Sequence, residues 1–186
     1  FWVEAARRMG YPMEDRHALM IRSMAADRAE PLLKREVCAD FDYHAVRALR
    51  REIMEVYIDE NGVEAKPGLL PMLRDLKRMG MRIALATATP EVRARKYLRM
   101  VGVETAFDAV ACAEMVAHGK PAPDVYLLAA QKLGLPPAAL LGVEDSPSGV
   151  QSAHAAGMTV AMVPDQDQPS AETAALCALV APSLAA

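Results

Sequence analysis

Two adjacent acids, Glu144 and Asp145, follow directly after an apolar run at residues 140–143. Neighbouring carboxylates repel one another and lose solvation when buried, so the pair needs either open water or a positive partner. Helix capping is the structural alternative, with Asp145 or Ser146 as N-cap and Pro147 as the first helical residue, but capping accounts for one acid and not for both. Because Mg²⁺ takes oxygen ligands and often binds one or two protein carboxylates, the sequence predicts a magnesium site at Glu144 and Asp145.

A group of hydroxyls ends another apolar run, where Thr87, Ala88 and Thr89 precede Pro90. Pro90 starts a predicted helix, and hydroxyls together with free amides at a helix N-terminus suit a phosphate. Thr89 could equally be the N-cap of that helix, and the two roles are compatible. We therefore predict that Thr87, Ala88 and Thr89 bind phosphate.

A lysine lies in a loop between two further elements. Lys120 stands between Gly119 and Pro121, and Asp124, a predicted helix cap, follows. A lone loop lysine is usually only a solvated charge, and the sequence leaves that reading open. However, glycine and proline constrain the backbone around this one, and an ammonium is a compact charge suited to neutralising phosphate or carboxylate. Lys120 is therefore a candidate phosphate ligand.

The elements that position these groups change in character near residue 66. Residues 1–66 have apolar side chains at helical spacing and no strand-like run, which predicts a helical module. Residues 67–186 alternate short apolar runs with amphipathic segments, which predicts a parallel α/β sheet covered on both faces. Ligands of such sheets bind outside the carboxyl ends of the strands. The hydroxyls and the acid pair directly follow predicted strands, and the lysine lies in the loop after another.

Composition narrows the class of partner. A net charge of -3 over 186 residues offers no basic surface for nucleic acid. No apolar run approaches the roughly 20 residues that cross a bilayer, so no membrane partner is predicted. Three widely separated cysteines suit reduced cytoplasmic thiols better than a disulfide framework or a zinc site. We expect a cytoplasmic protein, monomeric, that binds a small metabolite.

Three segments together resemble the haloacid dehalogenase (HAD) superfamily of phosphohydrolases. They are LATAT at residues 85–89, HGKPAPD at 118–124 and VEDSPSGVQSAHAAGM at 143–158. The sequence is most similar to the β-phosphoglucomutase-like branch. The resemblance implies a three-layer, parallel-sheet, Rossmann-like HAD core at residues 67–186 and a helical cap at residues 1–66. It also implies a Mg²⁺-dependent phosphatase or phosphomutase that acts on a small phosphate ester such as a sugar phosphate.

The resemblance also implies roles for individual residues. Thr87 would hold the transferring phosphoryl group through its hydroxyl, with the Ala88 amide beside it. Lys120 would neutralise the nucleophile and the phosphoryl oxygens. Asp145 would be a magnesium ligand, and Glu144 a second ligand or one that acts through water. In the cap, Arg22 is a candidate substrate contact on a looser match, and a solvated helix arginine is the competing interpretation.

One motif of the family has no counterpart in this sequence. The resemblance implies an Asp-x-Asp pair after a first, central strand, whose first Asp forms an aspartyl-phosphate and whose second is the general acid and base. Every acid before Thr87 lies in the helical module or its exit. The chain also begins Phe1-Trp2-Val3 without Met. We therefore expect a fragment of a longer enzyme, missing its first core strand and inactive alone.

Several alternatives remain open or are disfavoured. A dehalogenase of the same fold needs no cation, so the acid pair argues against it. A phosphonate hydrolase would need a Schiff-base lysine in the cap, where Lys34 has no supporting context. A receiver domain places its acids first and its lysine last, and a dinucleotide-binding domain would need a G-x-G-x-x-G after a strand. The rival from another class is a catalytically inactive binding or interaction module that keeps the fold.

Overall fold

The computed structural model describes residues 1–22, 24, 26–165 and 168–185. The chain divides into two compact units, Phe1–Gly62 and Val63–Ala186. Residues 63–66, which the sequence pattern placed with the helical module, belong to the second unit. That one or the other unit serves as a substrate cap remains a prediction.

The first unit is helical in its described part. Its core is formed by aliphatic and aromatic side chains, among them Phe41, Val46 and Leu33, all fully buried. Asp42 caps the longest helix by accepting a hydrogen bond from the Ala45 amide at 2.9 Å. The helices are α1 (Trp2–Arg8), α2 (Asp15–Met20), α3 (Ala26–Glu36) and α4 (Tyr43–Asn61).

The second unit alternates helices and strands, as the sequence pattern predicts. Glycines with positive φ follow or end several helices, among them Gly102 and Gly134. The elements are α5 (Leu69–Arg78), β1 (Ala84–Thr87), α6 (Glu91–Val101), β2 (Ala109–Cys112), α7 (Asp124–Leu133), β3 (Leu141–Glu144), α8 (Pro147–Ala155), β4 (Thr159–Met162), α9 (Ala171–Ala175) and β5 (Leu179–Val180).

The strands form two parallel ladders. β1 pairs with β2 so that Thr87 lies opposite Cys112, and β3 pairs with β4 so that Glu144 lies opposite Met162. β5 extends the second ladder. Within the described residues no ladder joins β1 to β3. The predicted α/β fold with a parallel sheet is confirmed, and each ladder brings the carboxyl ends of its strands into register.

Helices α7 and α8 pack against the strands of both ladders. Val125 and Ala129 of α7, and Val150 and Ala153 of α8, are buried in one apolar cluster with the strands. A Cβ at Gly142 in β3 would lie 2.9 Å from the Ala153 Cβ, closer than side chains pack. The small residues of β3 and α8 therefore allow the close approach that fixes the end of β3.

The first two strands are shorter than their apolar runs suggest, and Asp108 supplies the reason. The runs predict strands at residues 81–87 and 107–113, whereas β1 begins at Ala84 and β2 at Ala109. The Ile83 amide donates to the Asp108 carboxylate at 2.7 Å, and the Asp108 amide donates to the Ile83 carbonyl at 2.7 Å. A side chain thus replaces one rung of the ladder before the paired residues begin.

Candidate active site

A cavity of about 640 Å³ opens at the carboxyl ends of β1 and β3. Its wall is built by the segments that follow these strands and by the loop before α7, all in the second unit. The lining residues include Lys66, Ala86, Thr87, Ala88, Gly119, Lys120, Glu144, Asp145, Ser146 and Ser148. Among the candidate site residues, Thr87, Ala88, Lys120, Glu144 and Asp145 therefore lie around one cavity.

Thr87 ends β1, and its hydroxyl oxygen accepts a hydrogen bond from the Thr89 amide at 3.0 Å. Thr89 is not the helix cap that the sequence allowed, because Pro90 takes the N-cap position of α6 without a side-chain hydrogen bond. The Glu91 amide in the first turn of α6 donates to the Glu114 carboxylate at 2.9 Å. Part of the anion-attracting helix terminus is thus already satisfied by a protein acid.

Lys120 is a half-buried, paired lysine rather than a solvated loop charge. Its side chain is only 15% exposed, and its ammonium donates to the Ala86 carbonyl at 3.2 Å and to the Glu144 carboxylate. The ammonium also lies 5.0 Å from the centre of the Tyr126 ring, within cation–π distance. Lys120 therefore links the end of β1 to the end of β3 at the cavity wall.

Glu144 is buried and surrounded by donors. Its side chain is 6% exposed. Oε1 accepts hydrogen bonds from Lys120 and from the Tyr126 hydroxyl, and Oε2 accepts from the Asp145 amide and the Ser146 hydroxyl, each at 3.3 Å. The predicted repulsion between the two acids is therefore resolved on the Glu144 side by an ammonium.

Gly149 makes room for this carboxylate. A Cβ at Gly149 would lie 1.9 Å from Glu144 Oε2, so only glycine fits beside the acid. Ser146 is the N-cap of α8, since its hydroxyl oxygen accepts from the Gly149 amide at 3.2 Å, and Pro147 is the first helical residue. The capping predicted for Ser146 and Pro147 is confirmed.

Asp145 is exposed and faces the cavity. Loss of solvation at the cavity wall and the neighbouring Glu144 charge raise the pKa of Asp145, while Lys66 opposes the rise. Lys66 itself pairs with Asp165 at 2.8 Å. A carboxylate whose charge is disfavoured in this way would gain from a bound cation.

The donor set fits a hard cation such as Mg²⁺. Asp145 offers carboxylate oxygens to the cavity, with Glu144 next to it, and Mg²⁺ commonly binds one or two protein carboxylates and completes its shell with water and phosphate. The described residues contain no cluster of three or more His, Cys, Asp or Glu side chains arranged to hold a metal. The described residues would thus supply part of a magnesium shell and not a closed protein cage.

Tyr126 and Lys66 lie at or beside the cavity but carry no clear signal in the sequence, whereas the candidate Arg22 lies in the first unit. Tyr126 reads as a core aromatic, and only its polar hydroxyl, which needs a partner when buried, hints at a site role. Lys66 reads as a linker charge. Arg22 lies in the first unit, in the turn after α2, and its substrate contact remains a prediction. Ser23 and Ala25 of the same segment lie outside the described residues.

Among the helices of the described residues, none combines the length and the apolar character required to traverse a bilayer.

Comparison with curated proteins gives several relatives, one of which is named a phosphatase. Residues 3–157 match the family model of haloacid dehalogenase-like hydrolases. Hexitol phosphatase A of Escherichia coli strain K12 is 35% identical over 162 residues, which cover 87% of this chain and 73% of that protein. Protein CbbY of Rhodobacter capsulatus is 42% identical over 103 residues, which cover 54% of this chain and 45% of that protein. The chain thus spans about half the length of some curated relatives that it matches.

Solved structures share the fold. A CbbY mutant from Rhodobacter sphaeroides, in complex with xylulose-(1,5)-bisphosphate, superposes with a TM-score of 0.76 at 23% identity, over 99% of this chain and 85% of that one. A putative β-phosphoglucomutase from Thermotoga maritima superposes with a TM-score of 0.76 at 24% identity, over 97% and 84% of the two chains. At these identities the likeness establishes the fold. With the family model covering residues 3–157, the chain belongs to the haloacid dehalogenase-like hydrolase family.

Proposed function

We propose that this protein is a Mg²⁺-dependent phosphatase or phosphomutase of small phosphate esters, sugar phosphates in particular. The observation that carries the proposal is the position of the Lys120 ammonium, held at the cavity wall between the Ala86 carbonyl and the Glu144 carboxylate. Phosphoryl transfer depends mostly on positioning and charge stabilisation, so a fixed ammonium beside a hydroxyl and an open carboxylate suits it.

Each residue of the site has a distinct task in this proposal. The Thr87 hydroxyl and the Ala88 amide bind the oxygens of the phosphoryl group. Lys120 neutralises charge on those oxygens and on the nucleophile. Asp145 would hold Mg²⁺, and the bound ion would neutralise phosphoryl charge as a Lewis acid. Glu144 would support the ion as a neighbouring negative charge rather than as a ligand, because its oxygens already accept hydrogen bonds from protein donors. The first unit, including Arg22, would serve as the cap that selects the substrate and excludes water.

We place the nucleophile on an aspartate encoded upstream of Phe1, which would form an aspartyl-phosphate. Two features support this part of the proposal. No strand precedes β1 among the described residues, and the Asp-x-Asp pairs of the sequence stand elsewhere, at residues 40–42 in the helical unit and at residues 165–167 after β4. In addition, β1 and β3 each have a ladder partner on one side only among the described residues, while Lys120 connects their ends, which leaves a place for a further strand. The 186-residue chain by itself would then be inactive.

The substrate class rests on the relatives. One is named a hexitol phosphatase and one CbbY structure holds a sugar bisphosphate, so we propose a phosphorylated sugar or sugar alcohol here. With a net charge of -3 and no basic surface predicted, we propose a cytoplasmic monomer without nucleic-acid or membrane partners.

A substrate panel tests the reaction class. The full-length gene product should release inorganic phosphate from sugar phosphates in the presence of Mg²⁺. It should release no halide from 2-haloacids and no phosphate from phosphonates, since no supported Schiff-base lysine is available. Colorimetric phosphate and halide assays measure both. Halide release, or phosphate from phosphonates alone, would overturn the assignment, and a folded protein inactive on the whole panel would favour a non-catalytic binding module.

A further inference from the structure

Tyr126, a tyrosine that none of the sequence motifs singles out, lies behind the proposed site. We propose that Tyr126 is a positioning residue for phosphoryl transfer, which fixes the direction of the Lys120 ammonium through Glu144. The inference rests on the function proposed above, because it assigns Tyr126 a role in that same site.

The contacts of Tyr126 converge on Lys120 from two sides. The tyrosine is 6% exposed and lies in the first turn of α7. Its hydroxyl donates to Glu144 Oε1, the same oxygen that accepts from Lys120. Its ring lies 5.0 Å from the ammonium. The Tyr126 side chain therefore contacts Lys120 in two ways. Its hydroxyl binds the carboxylate that pairs with the lysine, and its ring faces the ammonium.

Glu144 is held so that it cannot turn away. Each of its oxygens accepts two hydrogen bonds, Oε1 from Lys120 and Tyr126, and Oε2 from the Asp145 amide and the Ser146 hydroxyl. A carboxylate has about four acceptor sites, so this set is complete. The hydroxyl of Tyr126 is the donor that fixes Oε1 independently of the lysine.

The contacts of Lys120 leave one N–H of its ammonium without a protein acceptor among those described. A lysine ammonium has three donors. One goes to Glu144 and one to the Ala86 carbonyl, which leaves one for a phosphoryl oxygen at the cavity that Lys120 lines. Because reacting groups must be placed within a fraction of an ångström, loss of the Tyr126 hydroxyl would let Glu144 and Lys120 adopt other directions.

The kinetic test is Tyr126→Phe in the full-length gene product. The change keeps the ring, and thus the packing and the cation–π contact, and removes only the hydroxyl. We expect kcat on a sugar phosphate to fall about 10-fold, the scale of one hydrogen bond to a charged group, with KM nearly unchanged. Tyr43→Phe, at a buried tyrosine of the first unit, is the matched control and should leave both constants unchanged. Equal constants for Tyr126→Phe and the wild type would overturn the proposal.

A chemical readout that needs no turnover separates this inference from the proposed function. Reductive methylation followed by peptide mass spectrometry measures the reactivity of Lys120 relative to Lys132, whose ammonium donates to the Val110 carbonyl. In Tyr126→Phe the ratio should rise about 3- to 10-fold, the equivalent of one ordinary hydrogen bond. General unfolding would raise the reactivity of both lysines, and the ratio would not show this selective rise.

The outcomes are distinct. A raised ratio in a protein whose wild type has no phosphatase activity would keep the positioning of Lys120 and reject the proposed function. An unchanged ratio would overturn the positioning role, whatever happens to kcat.

Discussion

Replacing Lys120 by methionine in the full-length gene product should lower kcat for sugar-phosphate hydrolysis about 10²- to 10³-fold, the usual effect of removing one charge-stabilising donor. The ammonium is fixed between two strand ends and has a donor left for the phosphoryl group. Methionine keeps most of the side-chain length and removes the charge. Steady-state phosphate release measures the effect.

Stability must be separated from chemistry in this experiment. Methionine leaves Glu144 as a buried carboxylate without its ammonium, and breaking a buried pair typically costs about 3–5 kcal/mol. The double variant Lys120→Met with Glu144→Gln removes both charges and should recover much of the thermal midpoint, yet remain as inactive. Lys34→Met, at an exposed lysine paired with Glu30, is the control and should keep full activity. Wild-type turnover by Lys120→Met would remove Lys120 from the mechanism, and inactive Lys34→Met would favour a phosphonate hydrolase.

Replacing Asp145 by alanine should abolish the dependence of activity on Mg²⁺ and lower kcat about 10³-fold or more, since the charge stabilisation by the ion is lost. Isothermal titration calorimetry should also record the loss of Mg²⁺ binding. Because the partial loss of solvation at the cavity wall and the neighbouring Glu144 disfavour the charged form of Asp145, the variant should unfold at the same temperature as the wild type or higher. The loss of activity would therefore not be accompanied by a loss of stability.

A second surface carboxylate provides the control for that variant. Asp75 is exposed on α5, where it pairs with Arg74 and Arg78, and Asp75→Ala should leave Mg²⁺ binding and turnover unchanged. If Asp145→Ala retained Mg²⁺-stimulated turnover near that of the wild type, the assignment of Asp145 as metal ligand would be refuted.

The fold could be predicted from the sequence because its signals are local. Apolar runs separated by amphipathic segments mark every strand, and glycines such as Gly134 and Gly157 adopt the positive φ that ends a helix. The strand boundaries of β1 and β2 could not be predicted, because they depend on Asp108 reaching the Ile83 amide across 25 residues of sequence.

The site residues could be predicted where their positions relative to the strands are visible in the sequence. Thr87 and Glu144 end their strands, Asp145 follows directly, and Lys120 lies in the loop after β2, so the carboxyl ends of parallel strands bring them around one cavity. The partners of these residues were not predictable. The Tyr126 hydroxyl reaches Glu144 across 18 residues, and the need for glycine at position 149 arises from the space that Glu144 occupies. Such contacts depend on helix placement, which sequence spacing alone does not encode.

Phosphoryl transfer at these strand ends should require Mg²⁺, and a titration of metal-free protein measures that requirement. The full-length gene product is stripped with EDTA, dialysed, and titrated with Mg²⁺ while binding is followed by calorimetry and phosphate release from a sugar phosphate by a colorimetric assay. We expect no turnover without the ion and an activity that saturates at the same Mg²⁺ concentration as binding. Full turnover by the metal-free protein would contradict this requirement.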